Sequence, residues 1–293
     1  MSRAYFPAIL WVLSLPTLLG GGAALRAEPE PSSATAAIKA RGKLVMLCFP
    51  TVAGGVSPNL SRGPTRRVGT TEDFVGFEVW LMDKLAGRLG VELEIRSLPE
   101  PGFGPLIPAM LEGGADLVAS TLSITAERET VVDFSLPYES TYLVVVTREG
   151  SDIRTEADLI GKMPVAARGS SHHHHLLALG FAEQDIDFVE FIGEYFTAVA
   201  SGDADFALSD AAEPDYLEAA KDSHERALKV AFTLQRVDRI AAAMPRGSDL
   251  KPHLDALIRE LEADGSLEDC RARFRAQAFD SREPDAAPVA VCR

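Results

Sequence analysis

Positive charge, cysteine and long apolar runs are all scarce in this chain, and each scarcity closes off a class of protein. Only 29 Lys and Arg stand against 43 Asp and Glu, a formal charge of −14. Such a surface repels phosphate backbones and anionic bilayers at long range, so nucleic acid is not an expected partner. Three cysteines, Cys48, Cys270 and Cys292, are too few and too scattered for a zinc site or a disulfide framework. In an oxidising compartment Cys270 and Cys292 either pair, pinning the tail, or stay apart; Cys48 ends an apolar strand and reads as buried. Past the N-terminus no apolar run approaches the ~20 residues that cross a bilayer.

What is present describes an exported globular protein. With 46% hydrophobic and 25% charged residues and a mean hydropathy of +0.04, the body is neither disordered nor membrane-embedded. A length of 293 residues predicts about two globular units. Arg3, an apolar run over 4–19 broken by Pro7 and Pro16, and the small residues of 20–24 with Ala27 form the three parts of a secretory signal, residues 1–27. An N-terminal membrane anchor is the competing reading, which the prolines and short span disfavour; export follows from both. With no cysteine near the cut, a lipid anchor is not expected, and the mature protein is expected free in the periplasm.

Residues 28–41 read as a polar linker, and the ordered part begins near Gly42. Extended patterns at 43–48, 92–97 and 116–120 alternate with helical ones at 77–89 and 103–111. A second series follows, extended at 163–167, 187–191 and 205–209 and helical at 172–179, 195–200 and 213–220. This alternation predicts two α/β units with largely parallel sheets. Apolar extended runs at 142–147 and 240–244 flank the second unit, so the chain is expected to leave the first unit and return to it across a two-stranded hinge. Residues 42–141 with 242–278 form one lobe, 142–241 the other, a helical stretch over 250–274 closes the first, and 279–293 is a tail. The long loop at 51–73 is of the kind that often carries function.

The stretch Ser120-Thr121-Leu122-Ser123-Ile124-Thr125-Ala126-Glu127-Arg128 follows an apolar strand and opens a short helix. Hydroxyls at a strand's carboxyl end, then helix amides, then an arginine make a receptor for a carboxylate, with Arg128 as the bidentate fork. The plain alternative is that the hydroxyls are caps and Glu127 and Arg128 are solvated helix charges.

The chain resembles the periplasmic amino-acid-binding proteins that serve ABC importers. G-K-L-V at Gly42, V-G-F-E-V at Gly76, G-F-G-P-L-I-P-A-M-L at Phe103, the Ser120–Arg128 run, V-D-F-S-L-P-Y at Val132 and D-G-S-L-E at Asp264 occur in the family's order. The resemblance implies an α/β, type II periplasmic-binding-protein fold of two lobes joined by two hinge crossings. It also implies a binding function without catalysis or cofactor, an ABC permease as partner, and a monomer. Residue by residue, it implies that Arg128 grips a ligand's α-carboxylate, that Ser120, Thr121 and Ser123 bind its carboxylate and ammonium, and that Phe103 packs on its side chain. Ser170 and Ser171, after Gly169, reach the carboxylate, and Asp210 accepts from the ammonium. For Asp210 the alternative is a cap for the helix at Glu213.

Two departures stand out. Where the family often carries an acid after the first strand, this chain has Phe49, so a cationic ligand side chain lacks its partner and a neutral or polar amino acid is expected. The run His172 to His175 replaces a mixed helix start; His172 and His175 share a face and form a weak candidate metal pair, though most of the imidazoles are expected to face solvent. His172, beside the serine turn, is the one expected to touch ligand. Two other functions use the same fold: a cyclohexadienyl dehydratase-like enzyme, with His172 or Asp210 as acid, and a ligand-sensing module.

Overall fold

The computed structural model describes residues 33–48, 61–62, 74–98, 103–190, 194–211 and 228–278. The signal segment, Phe49, most of the 51–73 loop, the helix expected at 213–220, Cys292 and the tail lie outside them.

Helix formation begins earlier than expected. Residues 34–41, read as linker, form α1 (Ala34–Arg41): Ser33 Oγ accepts from the Ala36 amide, and the Gly42 amide donates to the Ile38 carbonyl. Composition there looks like a linker, but Ile38 is completely buried and Asp249 accepts from the Thr35 amide at 3.0 Å, so tertiary contacts hold the helix. β1 (Lys43–Cys48) follows, then the short β2 (Ser61–Arg62) and β3 (Phe74–Val75), α2 (Phe77–Leu89) and β4 (Glu92–Ser97). In α2 the apolar positions Phe77, Leu81, Met82, Leu85, Ala86 and Leu89 fall on one face and are all buried.

The helix expected over 103–111 is shorter, α3 (Leu106–Ala109), continued by a wide π turn over Met110–Gly114. Pro105 and Pro108 supply no amide hydrogen, and the paired glycines unwind the end. β5 (Leu117–Val118), β6 (Val132–Phe134) and β12 (Ala243–Pro245) complete the first sheet, ordered β4-β1-β5-β12-β6, with β12 antiparallel to its neighbours. Leu44, Met46 and Cys48 of β1 face α2 on one side while Leu47 faces α3 on the other. This two-sided burial is why the strand reads as one continuous apolar run.

The second sheet is ordered β11-β7-β10-β8-β9. It contains β7 (Glu139–Arg148), β8 (Pro164–Ala167), β9 (Asp187–Val189), β10 (Phe206–Asp210) and β11 (Leu228–Ile240), with α4 (Ser171–Ala178) and α5 (Glu194–Ser201) packed on it. Val144 and Val146 pack toward α5, Leu143 and Val145 toward the opposite core. The chain crosses between sheets at residues 135–138 and returns at 241–242. There the Tyr138 amide donates to the Ile240 carbonyl at 3.0 Å and the Ser135 amide to the Ala242 carbonyl at 2.9 Å. The expected single strand over 240–244 is therefore split at this crossing. The final helical stretch is also two helices, α6 (Leu250–Ala263) and α7 (Ser266–Ala278), because Gly265 adopts φ 81° between them. Cys270 is buried and disulfide-bonded, and Cys48 is buried at the end of β1.

Candidate ligand-binding site

Beyond β5 the chain bends where Ser120, 1% exposed, gives way to Thr121 at φ 50°, the only positive φ outside glycine among the described residues. The Thr121 amide donates to both oxygens of the Glu78 carboxyl, at 2.8 and 2.9 Å. Two residues on, Ser123 donates through Oγ to Asp238 Oδ2 of β11 at 2.8 Å. Arg128 then opens a single 3-10 turn, Arg128–Thr130, rather than an α-helix, and Thr125 Oγ1 accepts from its amide.

Arg128 is buried rather than solvated. Its Nη1 donates to the Ser123 carbonyl at 2.8 Å, its Nη2 to the Gly169 carbonyl at 2.9 Å, and its guanidinium lies 5.9 Å from the Phe103 ring centre. Burial lowers its pKa to about 10, and the charges of Asp238 and Glu127 push it back up. Gly169 adopts φ 74°, which favours glycine, and a Cβ there would lie 3.4 Å from Gly104 Cα, so this turn packs on the segment after Phe103. The two sheets thus meet through Arg128 and Gly169.

On the second-sheet side, Ser170 Oγ caps α4 by accepting from the His173 amide, and Ser171 is the helix's first residue. The histidines do not face solvent as expected: His172 and His173 are 7% and 5% exposed, and the helix start packs into the site. Each imidazole meets a different carboxylate. His172 Nε2 lies 3.9 Å from Asp210 Oδ2, His173 Nε2 3.4 Å from Glu183, His174 Nδ1 2.9 Å from Glu127, and His175 Nε2 4.0 Å from Asp238 Oδ1. No group of three or more His, Cys, Asp or Glu among the described residues is placed to hold a metal ion. Burial pushes the imidazoles of His173 and His174 below their ordinary pKa.

Asp210 ends β10 beside His172; its Oδ1 is buried with no hydrogen-bond partner among the described residues. Asp238 is 2% exposed: burial pushes its pKa up, but His175, Ser123 and His172 outweigh that and hold it down. The structure joins Ser123, Phe103, Arg128 and Gly169 where the two sheets meet; Ser120 and Thr121 lie on the turn before Ser123, Ser170 and Ser171 at the start of α4, and His172 beside Asp210. Sequence reasoning passed over Glu78 and Asp238, and read Glu127 as a solvated helix charge and His174 as one of a solvent-facing run. Glu78 left a faint trace, as an acid between two apolar residues at the start of a helix.

A receptor built of two mixed sheets flanked by helices, with its charged groups where they meet, is the type II periplasmic-binding fold. The chain belongs to the bacterial extracellular solute-binding proteins, family 3, whose model matches residues 60–277. It is similar to an amino acid ABC transporter substrate-binding protein from Streptococcus pneumoniae bound to L-arginine: 25% identity, TM-score 0.65, covering 85% of this chain and 98% of that one. It is 26% identical over 200 residues to the L-cystine-binding protein TcyA of Bacillus subtilis, 67% of this chain and 71% of the relative. It is also 34% identical over 187 residues to the membrane-bound lytic murein transglycosylase F of Idiomarina loihiensis, 59% of this chain. The chain spans only 38% of that transglycosylase, and at most about half of its other transglycosylase relatives. The family is chiefly one of extracytoplasmic amino-acid-binding proteins of ABC importers, and no helix among the described residues is long and apolar enough to cross a membrane.

Proposed function

We propose that this chain is the periplasmic binding component of an ABC importer, that it takes one small zwitterionic amino acid with a neutral or polar side chain, and that it catalyses no reaction. The two lobes, residues 42–141 with 242–278 and residues 142–241, close on the ligand. Arg128 grips the α-carboxylate together with Ser120, Thr121 and Ser123, and the Ser170-Ser171 turn joins from the other lobe. Asp210 accepts from the ammonium, His172 stands beside it, and Phe103 packs on the side chain.

The observation that carries this reading is Asp210 Oδ1, a buried carboxylate oxygen without a partner among the described residues, in a site where buried Arg128 spans both sheets. A buried acceptor left unsatisfied costs about 1–3 kcal/mol, and a ligand ammonium satisfies it. Arg128 carries five N–H donors, so its two backbone contacts leave donors for a carboxylate. A cation on one side and an acceptor on the other are bridged by a ligand that carries both polarities, which makes closure and recognition one event.

A cationic side chain is the second reading. Asp238 adds another buried carboxylate near Ser123 and Arg128, and the similar Streptococcus protein holds L-arginine.

Refolded protein, stripped of endogenous solute, is to be screened by thermal shift against the twenty common L-amino acids and L-cystine. Ligand at about 100 times Kd stabilises by ~2.7 kcal/mol. A selective shift lost in Arg128→Ala and Asp210→Asn is the expected result, and lysine or arginine in first place selects the second reading. Silence across the panel overturns both, and turnover of prephenate or arogenate by the purified protein replaces them with the dehydratase reading.

A further inference from the structure

Two unusual features coincide at one amide. Thr121 is a β-branched residue held at φ 50°, and backbone in that region costs of order 1–3 kcal/mol outside glycine. Glu78 is fully buried, the least exposed carboxyl among the described residues, and a carboxyl in that position is itself costly to desolvate. Both oxygens of Glu78 are spent on the Thr121 amide, and Oε1 also accepts from the Tyr138 hydroxyl. Tyr138 lies on the outgoing crossing between the sheets, with its amide on the Ile240 carbonyl of the returning strand. One side chain thus holds the turn carrying Ser120, Thr121 and Ser123 and binds it to the crossing.

We propose that Glu78 is the positioning residue of the ligand site, fixing the left-handed turn at Thr121 and tying it to the crossing about which closure occurs. The proposal rests on the amino-acid reading of the site for its binding consequence, and on the Thr121 turn alone for its structural one. Glu78 touches no ligand and acts through Thr121. Burial raises the Glu78 carboxyl to about 8, with Glu139 adding to the rise and Tyr138 and Thr121 opposing it, so at neutral pH the group is largely a neutral acid. Glutamine keeps one carbonyl oxygen for the two donors that share Oε1 and gives up only the second, Oε2 contact of the Thr121 amide, and leucine fills the space with no acceptor.

The test is a cycle in the full mature chain: Glu78→Gln, Glu78→Leu, Thr121→Gly, and Glu78→Leu combined with Thr121→Gly. Affinities are read by calorimetry over the same amino-acid panel. The expected order is a change within about threefold for Glu78→Gln and a loss of about tenfold or more (~1.4 kcal/mol) for Glu78→Leu. Glycine adopts positive φ without strain, so with Thr121→Gly as the background the leucine penalty shrinks to about twofold. A purely structural role predicts the same penalty in both backgrounds, and that result, or a folded Glu78→Leu protein that binds like its parent, overturns the proposal. Should Glu78→Leu not fold, the Thr121 amide resonance decides: it shifts as pH passes through the alkaline range near 8 in the parent and stays still in Glu78→Gln, whereas an indifferent amide overturns the proposal. Should no panel member bind the parent, the amino-acid reading fails on its own, and the resonance still tests the Thr121 turn.

Discussion

On the first-sheet side of the site, Arg128 and Glu78 are held by short hydrogen bonds: one is a cation bonded to two carbonyls, the other a buried acid clamped on one amide and one hydroxyl. On the second-sheet side, four consecutive imidazoles face four carboxylates at 2.9 to 4.0 Å, and most of these contacts are too long to be hydrogen bonds. One side fixes geometry by burial and short bonds, and the other holds titratable groups in loose opposition. The difference teaches where sensitivity should lie. Substitutions on the first side should act on affinity through geometry, and those on the second through charge and pH.

The sharpest break in that contrast is Arg128→Ala. It removes the cation of the site and both carbonyl contacts, including the one that bridges the sheets, so affinity for any panel amino acid should fall by about 100-fold or more. Arg128→Lys should recover only a small part, since an ammonium does not reproduce the planar fork. Calorimetry on both variants checks this, and a lysine variant of parental affinity would remove the bidentate argument. Asp210→Asn should follow at about tenfold, because the amide still fills the space but loses the charge facing an ammonium. Equal loss for a deaminated analogue of the best binder, which keeps the carboxylate but has no ammonium, would show that Asp210 is not the ammonium acceptor.

The hydroxyls of the 120–128 run and Arg128 stood out in the sequence because they lie within nine consecutive residues whose types suit anion binding. Their supports did not, because Glu78 lies 43 residues before Thr121 and Asp238 lies 115 after Ser123. Sequence spacing carries no information about such pairs until the sheets are assembled. The alternation of strands and helices was readable since β1, β5, β8 and β10 at the middle of the two sheets are buried almost throughout, whereas α1 was missed because its stability comes from Asp249 and the core rather than its own composition. The histidines misled for a related reason. Imidazole is compatible with solvent, and only the packing of α4 against Phe188, Tyr195 and the opposing carboxylates shows that it is excluded here.

Glu78 offers an intermediate effect that is read in stability rather than affinity. Its folded pKa, about 8, lies above the ordinary 4.5, so the folded state binds the proton more tightly. That contribution is fully present below the ordinary value and is lost as pH rises through about 8. The melting temperature should therefore drop by more than about 3 °C between about pH 7 and pH 9, and Glu78→Gln should flatten the decline. A parental protein with a level profile over that interval would show that the buried carboxyl keeps its ordinary titration.

The smallest expected effect tests the second side. His173 and His174 have pKa values pushed down by burial, with Glu183 and Glu127 opposing the shift. For an imidazole lowered in the folded state, stability is present above the ordinary pKa near 6.5 and is lost as pH falls through the folded value, because protonation is easier in the unfolded chain. Mild acid should therefore loosen the start of α4 before it affects the first side. His174→Gln keeps a polar group opposite the exposed Glu127 but cannot take up the proton, so it should blunt this acid sensitivity and cost only about 0.5 kcal/mol at neutral pH. Hydrogen exchange of the α4 amides below about pH 6, compared between parent and variant, gives the answer. Exchange that accelerates equally in both would place the acid-sensitive group elsewhere, and a loss of several kcal/mol at neutral pH would mean that the Glu127 contact locks the two sides together as firmly as Arg128 does.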